Sequence, residues 1–301
     1  MASPPKALLF DIGGVCVVSP FQAILDYELA NNIPPGYINH TIQGTSPNGS
    51  WQRIERGEIT LGDTWFSLFG ADLQDPERWR AYWSRILADP AKRKLIPAAT
   101  LAQAKDGVAP PVPNIDVQAM FWNMMRMARS PDRYMYPALK KLRASGRFVV
   151  AALSNTIAFP EGIRDEKGVL FNAGLHKHPT GVREIGSPAE NGGVGDERED
   201  VKSNFEVFIS SAHVGMRKPE QRIYELALSE VTRLGKARGV DIQPHDIVFL
   251  DDIGGNLKAA KAVGMRTLKV TLGKSRDAVA ELEKLVGMKL LDDDVDAKSR
   301  L

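Results

Sequence analysis

An aspartate and two glycines directly follow the first apolar run of this sequence. The segment 6–18 reads KALLFDIGGVCVV, so that Asp11 ends the run and Gly13 and Gly14 come shortly after it. A carboxylate at the end of a buried strand can act as a nucleophile on phosphorus when a cation neutralises its charge. The glycines allow the backbone to approach a ligand closely. Taken alone, an aspartate in this position is more often a cap or turn residue.

Two further groups of polar residues are of the type that contacts phosphate. Ser154, Asn155 and Thr156 follow the apolar run FVVAAL, where a hydroxyl and successive backbone amides form a concavity suited to phosphate oxygens. A helix N-cap explains the same residues equally well. Lys218 precedes Pro219 at a predicted helix start and would supply a point charge to a phosphoryl group, although a single lysine is usually just solvated.

Two adjacent carboxylates form the fourth group. Asp251 and Asp252 end an apolar run and stand just before a Gly-Gly turn. Neighbouring carboxylates raise each other's pKa, so a cation is needed to keep both charged. Mg²⁺ prefers such hard oxygen ligands and completes its shell with water. We therefore interpret the pair as metal ligands, with two capping acids as the structural alternative.

Apolar runs bounded by turn or helix signals predict the strands that carry these groups. The predicted strands are Ala7 to Phe10, Phe148 to Leu153, Phe205 to Ile209, Ile247 to Leu250 and Arg266 to Val270. Helical spacing between them, over 221–234 and 255–262, predicts an α/β fold with a Rossmann-like parallel sheet. Open α/β sheets bind ligands at the carboxyl ends of their strands, so we expect the four groups to form one site there.

The region between the first two predicted strands has a different character. Residues 19–131 are rich in Trp, Tyr, Arg and Met and show helical spacing. We predict a helical insertion here, which leaves 1–18 and 132–301 as the core domain. The middle of the insertion, 97–113, contains VAPPVP and is predicted to be a loop or extended connector. A second irregular region runs from about Phe159 to Lys202, and its Gly-rich and then acidic stretch at 186–200 is typical of a mobile surface loop.

Composition narrows the class of protein. The chain has 301 residues, 43% of them hydrophobic, which suits one large or two modest globular domains. A formal net charge of +2 gives no argument for a nucleic acid partner. No apolar run approaches the roughly 20 residues that a membrane span needs. A single cysteine, Cys16, and no visible secretory signal lead us to expect a reducing, cytoplasmic location.

The order of these motifs resembles the haloacid dehalogenase superfamily of aspartate-nucleophile hydrolases. Within it, the chain most resembles the phosphatase domain at the N-terminus of soluble epoxide hydrolases. The resemblance extends to four longer segments: WQRIERGEIT at 51–60, VGMRKPEQRIY at 214–224, FLDDIGGNLKAAKAVGMRTLKV at 249–270 and AELEKLVGMKLL at 280–291. The epoxide-opening α/β-hydrolase domain does not follow within these 301 residues, so we expect no epoxide hydrolase activity.

The resemblance implies Mg²⁺-dependent hydrolysis of a small organic or lipid phosphate monoester through an aspartyl-phosphate. Asp11 would be the nucleophile, Ser154 and the Asn155 amide would hold the phosphoryl oxygens, and Lys218 would stabilise the charge of the transition state. The implied ligands of Mg²⁺ are Asp11, the Gly13 carbonyl, Asp252 and, in a supporting part, Asp251. The helical insertion would be a cap that closes over the site and sets specificity.

Gly13 departs from the family pattern, which places a second aspartate at this position. That aspartate protonates the leaving oxygen and then activates water, and losing such a group costs about 10²–10⁴-fold in rate. Gly13 therefore favours one alternative, a catalytically weak relative that binds phospholigands. The other alternative is a 2-haloacid dehalogenase, which would work without Mg²⁺ and have no use for the acid pair. His213, just before the lysine motif, either edges the site or packs at a strand end.

Overall fold

The structure, a computed structural model, describes residues 3–104, 108–171 and 201–292. Within those ranges the chain divides into two compact units. The described residues of the first unit are 3–19, 128–156 and 201–292, and those of the second are 20–104, 108–127 and 157–171. The stretch 186–200, predicted to be a mobile loop, lies outside the described residues.

The secondary structure alternates strands with helices in the first unit and consists of helices in the second. The strands are β1 (Ala7–Phe10), β2 (Val149–Ser154), β3 (Val207–Ser210), β4 (Ile247–Asp251) and β5 (Arg266–Lys269). The helices of the second unit are α1 (Phe21–Ala30), α2 (Tyr37–Gly44), α3 (Ser50–Glu55), α4 (Asp63–Leu73), α5 (Pro76–Ala88), α6 (Pro90–Arg93), α7 (Ala98–Leu101) and α8 (Val117–Met127). Those of the first unit are α9 (Met135–Ser145), α10 (Ser211–Val214), α11 (Gln221–Ala237), α12 (Gly254–Ala262) and α13 (Ser275–Val286).

The described strands form one parallel sheet in the order β3-β2-β1-β4-β5. Side chains alternate between the two faces of a strand, and in β1 both sets are apolar and fully buried. Leu8 and Phe10 belong to a core that includes residues of α9 and α13. Ala7 and Leu9 belong to a second core, which includes residues of α11 and α12. The predicted α/β fold is confirmed, and each observed strand overlaps its predicted range.

The second unit has an aromatic core. The ring of Trp65 stacks on Phe69 at 5.1 Å and meets Phe121 edge-on at 5.0 Å. The ring of Trp51 packs against those of Trp65 and Phe69, at 6.0 and 5.3 Å. Aromatic rings of this size bury enough apolar surface to hold short helices together. Among the described residues of the whole chain, no helix combines the length and the apolar character needed to cross a bilayer.

One segment assigned to the core from the sequence lies in the helical unit instead. Residues 157–171 follow β2 in the chain but pack on α8. The rings of Phe159 and Phe171 lie 6.4 and 5.1 Å from the ring of Trp122. Arg126 of the same helix forms ion pairs with Asp165 and Glu166. These contacts join residues that are distant in sequence, which local patterns do not predict.

The predicted connector 97–113 also differs from the expectation. It begins with the short helix α7, and Leu101 of this helix packs against the aromatic core of the second unit. Residues 105–107 lie outside the described part of the chain. Further on, the Pro110 carbonyl accepts a hydrogen bond from Nε1 of Trp79 at 2.7 Å. The connector is therefore helical near its start and outside regular helices and strands at its proline-rich end.

Candidate active site

The carboxyl edge of the sheet is where the predicted site residues meet. Asp11 follows β1 directly, and its N–H donates to the Leu250 carbonyl at 2.9 Å. Ser154 and Asp251 are the last residues of β2 and β4, the two neighbours of β1. Lys218 follows β3 and α10, in the loop before α11. The chain continues from β1 to β2 on one side of β1 and later passes from β3 to β4 on its other side. The carboxyl ends of β1 and β4 therefore form the topological switch point where open α/β sheets bind ligands.

The ammonium group of Lys218 joins two carboxylates. Its Nζ lies 2.8 Å from Oδ2 of Asp11 and 2.7 Å from Oδ2 of Asp251. The lysine is 1% exposed, and a buried charge requires such partners. Burial favours the neutral amine, but attraction to the two carboxylates prevails and raises the pKa of Lys218. The side chain therefore stays a cation beside Asp11.

Asp251 has hydrogen-bond donors on both of its carboxylate oxygens. The N–H of Ile253 donates to Oδ1 at 2.7 Å, and Nδ2 of Asn256 lies 3.1 Å from Oδ1 and from Oδ2. Together with Lys218, these donors orient a carboxylate that is fully buried. Sequence reasoning did not single out Asn256. The available signal was its position in the first turn of the predicted helix that follows Asp251 and Asp252.

Asp11, Asp251 and Asp252 form a cluster of carboxylates. One oxygen of each lies within 4.8 Å of the others. Burial is the main reason that the pKa of Asp11 rises to about 7, against the opposing effect of Lys218. Burial, followed by repulsion from Asp251, raises the pKa of Asp252 to about 6. One ammonium does not balance three carboxylates, and hard oxygen donors suit Mg²⁺, so this donor set fits a bound Mg²⁺ ion.

The two glycines after Asp11 have different places in the loop. Gly14 has a φ of +78°, and a Cβ there would lie 2.7 Å from Oδ2 of Asp252 and 2.9 Å from Cδ2 of Leu272. A glycine is thus required for the loop to pass this close to the Asp252 carboxylate. Gly13 is half-buried and forms an isolated parallel bridge with Val17. Its role as a carbonyl ligand remains a prediction.

The Ser154–Thr156 loop lies against the lysine motif. The Lys218 N–H donates to Oδ1 of Asn155 at 2.8 Å, and Nδ2 of Asn155 donates to the Lys218 carbonyl at 3.0 Å. The Ser154 hydroxyl is buried and lies 3.4 Å from the Asn155 carbonyl. Asn155 therefore holds the backbone of the lysine whose side chain reaches Asp11. Contacts of Ser154 and Asn155 with phosphoryl oxygens remain a prediction.

His213 is exposed, so it is not the buried, packed histidine that one alternative predicted. Its Nδ1 lies 2.6 Å from the hydroxyl of Ser210, the last residue of β3. Sequence reasoning named this histidine but missed its serine partner. Two consecutive serines at the end of a predicted strand were the signal that was available.

The arrangement can displace a group at phosphorus: a buried carboxylate stands beside a lysine cation and two further carboxylates that can hold a metal. The parallel sheet, with the carboxylates and the lysine at its carboxyl edge, has the arrangement that the resemblance to the haloacid dehalogenase superfamily implies. The chain is also similar to curated proteins over most of its length. The chain is 40% identical to bifunctional epoxide hydrolase 2 of Rattus norvegicus over 283 residues, which are 94% of this chain and 39% of that protein.

Two further comparisons extend over most of the chain. It is 25% identical to acyl-CoA dehydrogenase family member 10 of Mus musculus over 287 residues, 95% of this chain and 19% of that protein. The chain thus spans less than half the length of both curated relatives. A solved HAD-family enzyme of Bacteroides thetaiotaomicron, in complex with magnesium and inorganic phosphate, is 16% identical with a TM-score of 0.43, covering 90% of this chain and 96% of that chain. No protein-family profile matches the chain.

Proposed function

We propose that this chain is a Mg²⁺-dependent phosphatase that hydrolyses a small organic or lipid phosphate monoester through an aspartyl-phosphate on Asp11. The observation that carries the proposal is the position of Lys218, whose Nζ bridges Asp11 and Asp251 at 2.8 and 2.7 Å. A fixed cation beside a carboxylate stabilises the negative charge that a phosphoryl group brings to it. In this proposal the helical unit is the cap domain that the resemblance implies.

Asp11 is the proposed nucleophile. A carboxylate oxygen of Asp11 attacks phosphorus while the bond from phosphorus to the ester oxygen breaks. Since residue 13 has no carboxyl group, the leaving oxygen takes its proton from water, and the resulting hydroxide is neutralised by the proton released in the second step. Water then attacks the phosphorus of the aspartyl-phosphate, which releases inorganic phosphate and a proton and restores Asp11.

The remaining motif residues bind and orient. Ser154 and the Asn155 amide would hold phosphoryl oxygens, and Lys218 would stabilise their charge as it develops. The proposed metal ligands are Asp11, the Gly13 carbonyl, Asp252 and, in a supporting part, Asp251. When bound, Mg²⁺ would neutralise the negative charge shared by the carboxylates and the phosphoryl group.

Gly13 favours a second candidate function, a protein that binds phospholigands with little turnover. The metal ligand at this position is a backbone carbonyl, which glycine retains, whereas the general acid/base is a side chain, which glycine lacks. Binding is therefore preserved better than hydrolysis. Both candidates share one site and differ in the rate of the chemical steps.

The decisive experiment is a panel of phosphate monoesters tested with and without Mg²⁺, on the wild type and on Asp11→Asn. A phosphatase releases phosphate only with Mg²⁺ and only when Asp11 is present. Phosphate binding without turnover would favour the second candidate. The absence of both binding and turnover would rule out both, and Mg²⁺-independent release of halide from a 2-haloacid would identify a dehalogenase.

A further inference from the structure

A chain of hydrogen bonds lies beyond the carboxyl ends of β2 and β3. These strands are adjacent and parallel, and Ser154 pairs in register with Ser210. The Ser210 hydroxyl lies 2.5 Å from Oγ1 of Thr156 and 2.6 Å from Nδ1 of His213. A hydroxyl has one proton to donate and two lone pairs, so Ser210 donates to at most one of these neighbours and can accept from both. The imidazole, the serine and the threonine are therefore linked in series.

The backbone of Thr156 is held as well as its side chain. Its N–H donates to the Ser211 hydroxyl at 2.8 Å, and that hydroxyl lies 3.4 Å from the Thr156 carbonyl. Ser211 is fully buried at the start of α10, the helix that also carries His213. Ser210 thus binds the hydroxyl of Thr156, and Ser211 binds its peptide group.

The neighbouring residue, Asn155, binds the backbone of Lys218, at the far end of the segment that begins with Ser210. Its side-chain amide accepts a hydrogen bond from the Lys218 N–H and donates one to the Lys218 carbonyl. The segment 210–218 therefore contacts Thr156 at its start and Asn155 at its end. These contacts close the two segments into a ring. The ring joins the loop 154–156 to the lysine that contacts Asp11.

We propose that His213 and Ser210 are positioning residues that hold the loop 154–156 in the geometry needed to bind a phosphoryl group. The inference rests on the proposed function, in which Ser154 and the Asn155 amide bind the phosphoryl oxygens. Hydrogen-bond donors at a charged site are effective when they are held in place before the ligand arrives. His213 acts here through Ser210 and Thr156 and does not itself contact the substrate.

The test compares four variants. Thr156→Val and Ser210→Ala each remove one hydroxyl, and His213→Ala removes the imidazole. His213→Asn retains a polar group near the position of Nδ1, the atom that binds Ser210, and serves as the rescue. His245→Ala is the control, because His245 is exposed at the start of β4, away from the carboxyl edge.

Four quantities are measured for each protein: the affinity for inorganic phosphate, the affinity for Mg²⁺ alone, and KM and kcat for an aryl phosphate. Loss of one hydrogen bond should weaken phosphate binding and raise KM by about two- to tenfold. We expect kcat to change less, because the loop contacts the phosphoryl group in the ground state and the transition state alike. Mg²⁺ affinity should not change, since the carboxylate cluster is outside the ring.

The outcomes separate this inference from the proposed function. If His213→Asn binds phosphate about as well as the wild type while His213→Ala binds it more weakly, the result supports positioning through Nδ1. If the wild type binds phosphate and hydrolyses the ester while the Ala and Val variants match it, the positioning role is wrong and the proposed function stands. Equal loss of phosphate and Mg²⁺ affinity would indicate general destabilisation and would also overturn the inference. A wild type that neither binds nor hydrolyses overturns both.

Discussion

Nζ of Lys218 lies 2.8 Å from Oδ2 of Asp11, although the two residues stand in different halves of the chain. Both side chains are buried. The same ammonium lies 2.7 Å from Asp251, so it is the common counter-charge of two carboxylates. Removing one partner from such an arrangement leaves charge buried without compensation, and several consequences of this can be measured.

Replacing Lys218 by methionine removes the cation and keeps a side chain of similar length. We expect the free energy of unfolding to fall by about 3–5 kcal/mol, because Asp11 and Asp251 stay buried without their partner. Urea unfolding in the absence of metal measures the change. The control is Lys6→Met, which removes a half-exposed lysine from its pair with the buried Asp246 and should cost less, about 1 kcal/mol. Equal losses in the two variants would contradict the prediction.

Mg²⁺ affinity should rise with pH. Burial raises the pKa of Asp11 to about 7 and that of Asp252 to about 6, so at low pH protons compete with the metal for these oxygens. As pH increases from about 5.5 to about 8, both carboxyls lose their protons and binding strengthens. Calorimetry in buffers of different ionisation enthalpy also detects the protons that Mg²⁺ releases. Affinity that is constant over this range, with no proton release, would show that these carboxylates are not the ligands.

Gly13→Asp should restore the acid/base group that the family pattern places here. Alkyl phosphates need protonation of the leaving oxygen more than aryl phosphates do, so their hydrolysis should increase more, by up to about 10²–10⁴-fold. The measurement is the ratio of kcat/KM for an aryl and an alkyl phosphate before and after the change. An unchanged ratio would mean that no acid is missing.

Gly14→Ala should disturb Asp252. The new Cβ would lie 2.7 Å from Oδ2 of Asp252, and the φ of +78° is unfavourable for alanine by about 1–2 kcal/mol. We expect lower stability and weaker Mg²⁺ binding. Gly239→Ala is the matched control, since Gly239 has a φ of +71° and nothing within 4 Å of a Cβ. The control should lose stability and keep its Mg²⁺ affinity, and weaker Mg²⁺ binding in both variants would contradict a specific contact.

Glu28 should make the stability of the helical unit depend on pH. It is buried and accepts hydrogen bonds from the N–H groups of Gly36 and Ile38, but burial dominates and raises its pKa from 4.5 to about 7. The folded state therefore holds a proton that the unfolded state releases. The stability that this group contributes is complete below about pH 4.5 and is lost as pH rises through about 7.

Glu28→Gln is neutral at every pH, so it lacks this dependence. Relative to the wild type, the variant should gain about 1–3 kcal/mol between about pH 5 and about pH 8. Denaturant unfolding of both proteins across this range provides the comparison. Parallel profiles would show that Glu28 has no raised pKa in the folded state.

Much of the first unit was predictable because its local patterns agree with its tertiary environment. A strand covered on both faces must be apolar at every position, and the runs that include Ala7 to Phe10 and Ile247 to Leu250 have this property. Polar residues that end such runs then mark the edge of the sheet. Asp11 and the acid pair 251–252 were identified in this way, before any contact between them was known.

Tertiary structure alone decided which of these residues touch. The order of the strands puts β1 between β2 and β4, and this order follows from crossover connections that no local pattern encodes. The contact of Lys218 with Asp11 and the pairing of Ser154 with Ser210 depend on it. The attachment of residues 157–171 to α8 likewise rests on aromatic and ionic contacts between distant parts of the chain.

The sequence by itself determined the strands, the polar residues at their ends and the absence of a carboxylate at Gly13, because these are local properties. The tertiary structure decided their distances and pKa values, because burial and Coulomb interactions depend on what the fold brings together.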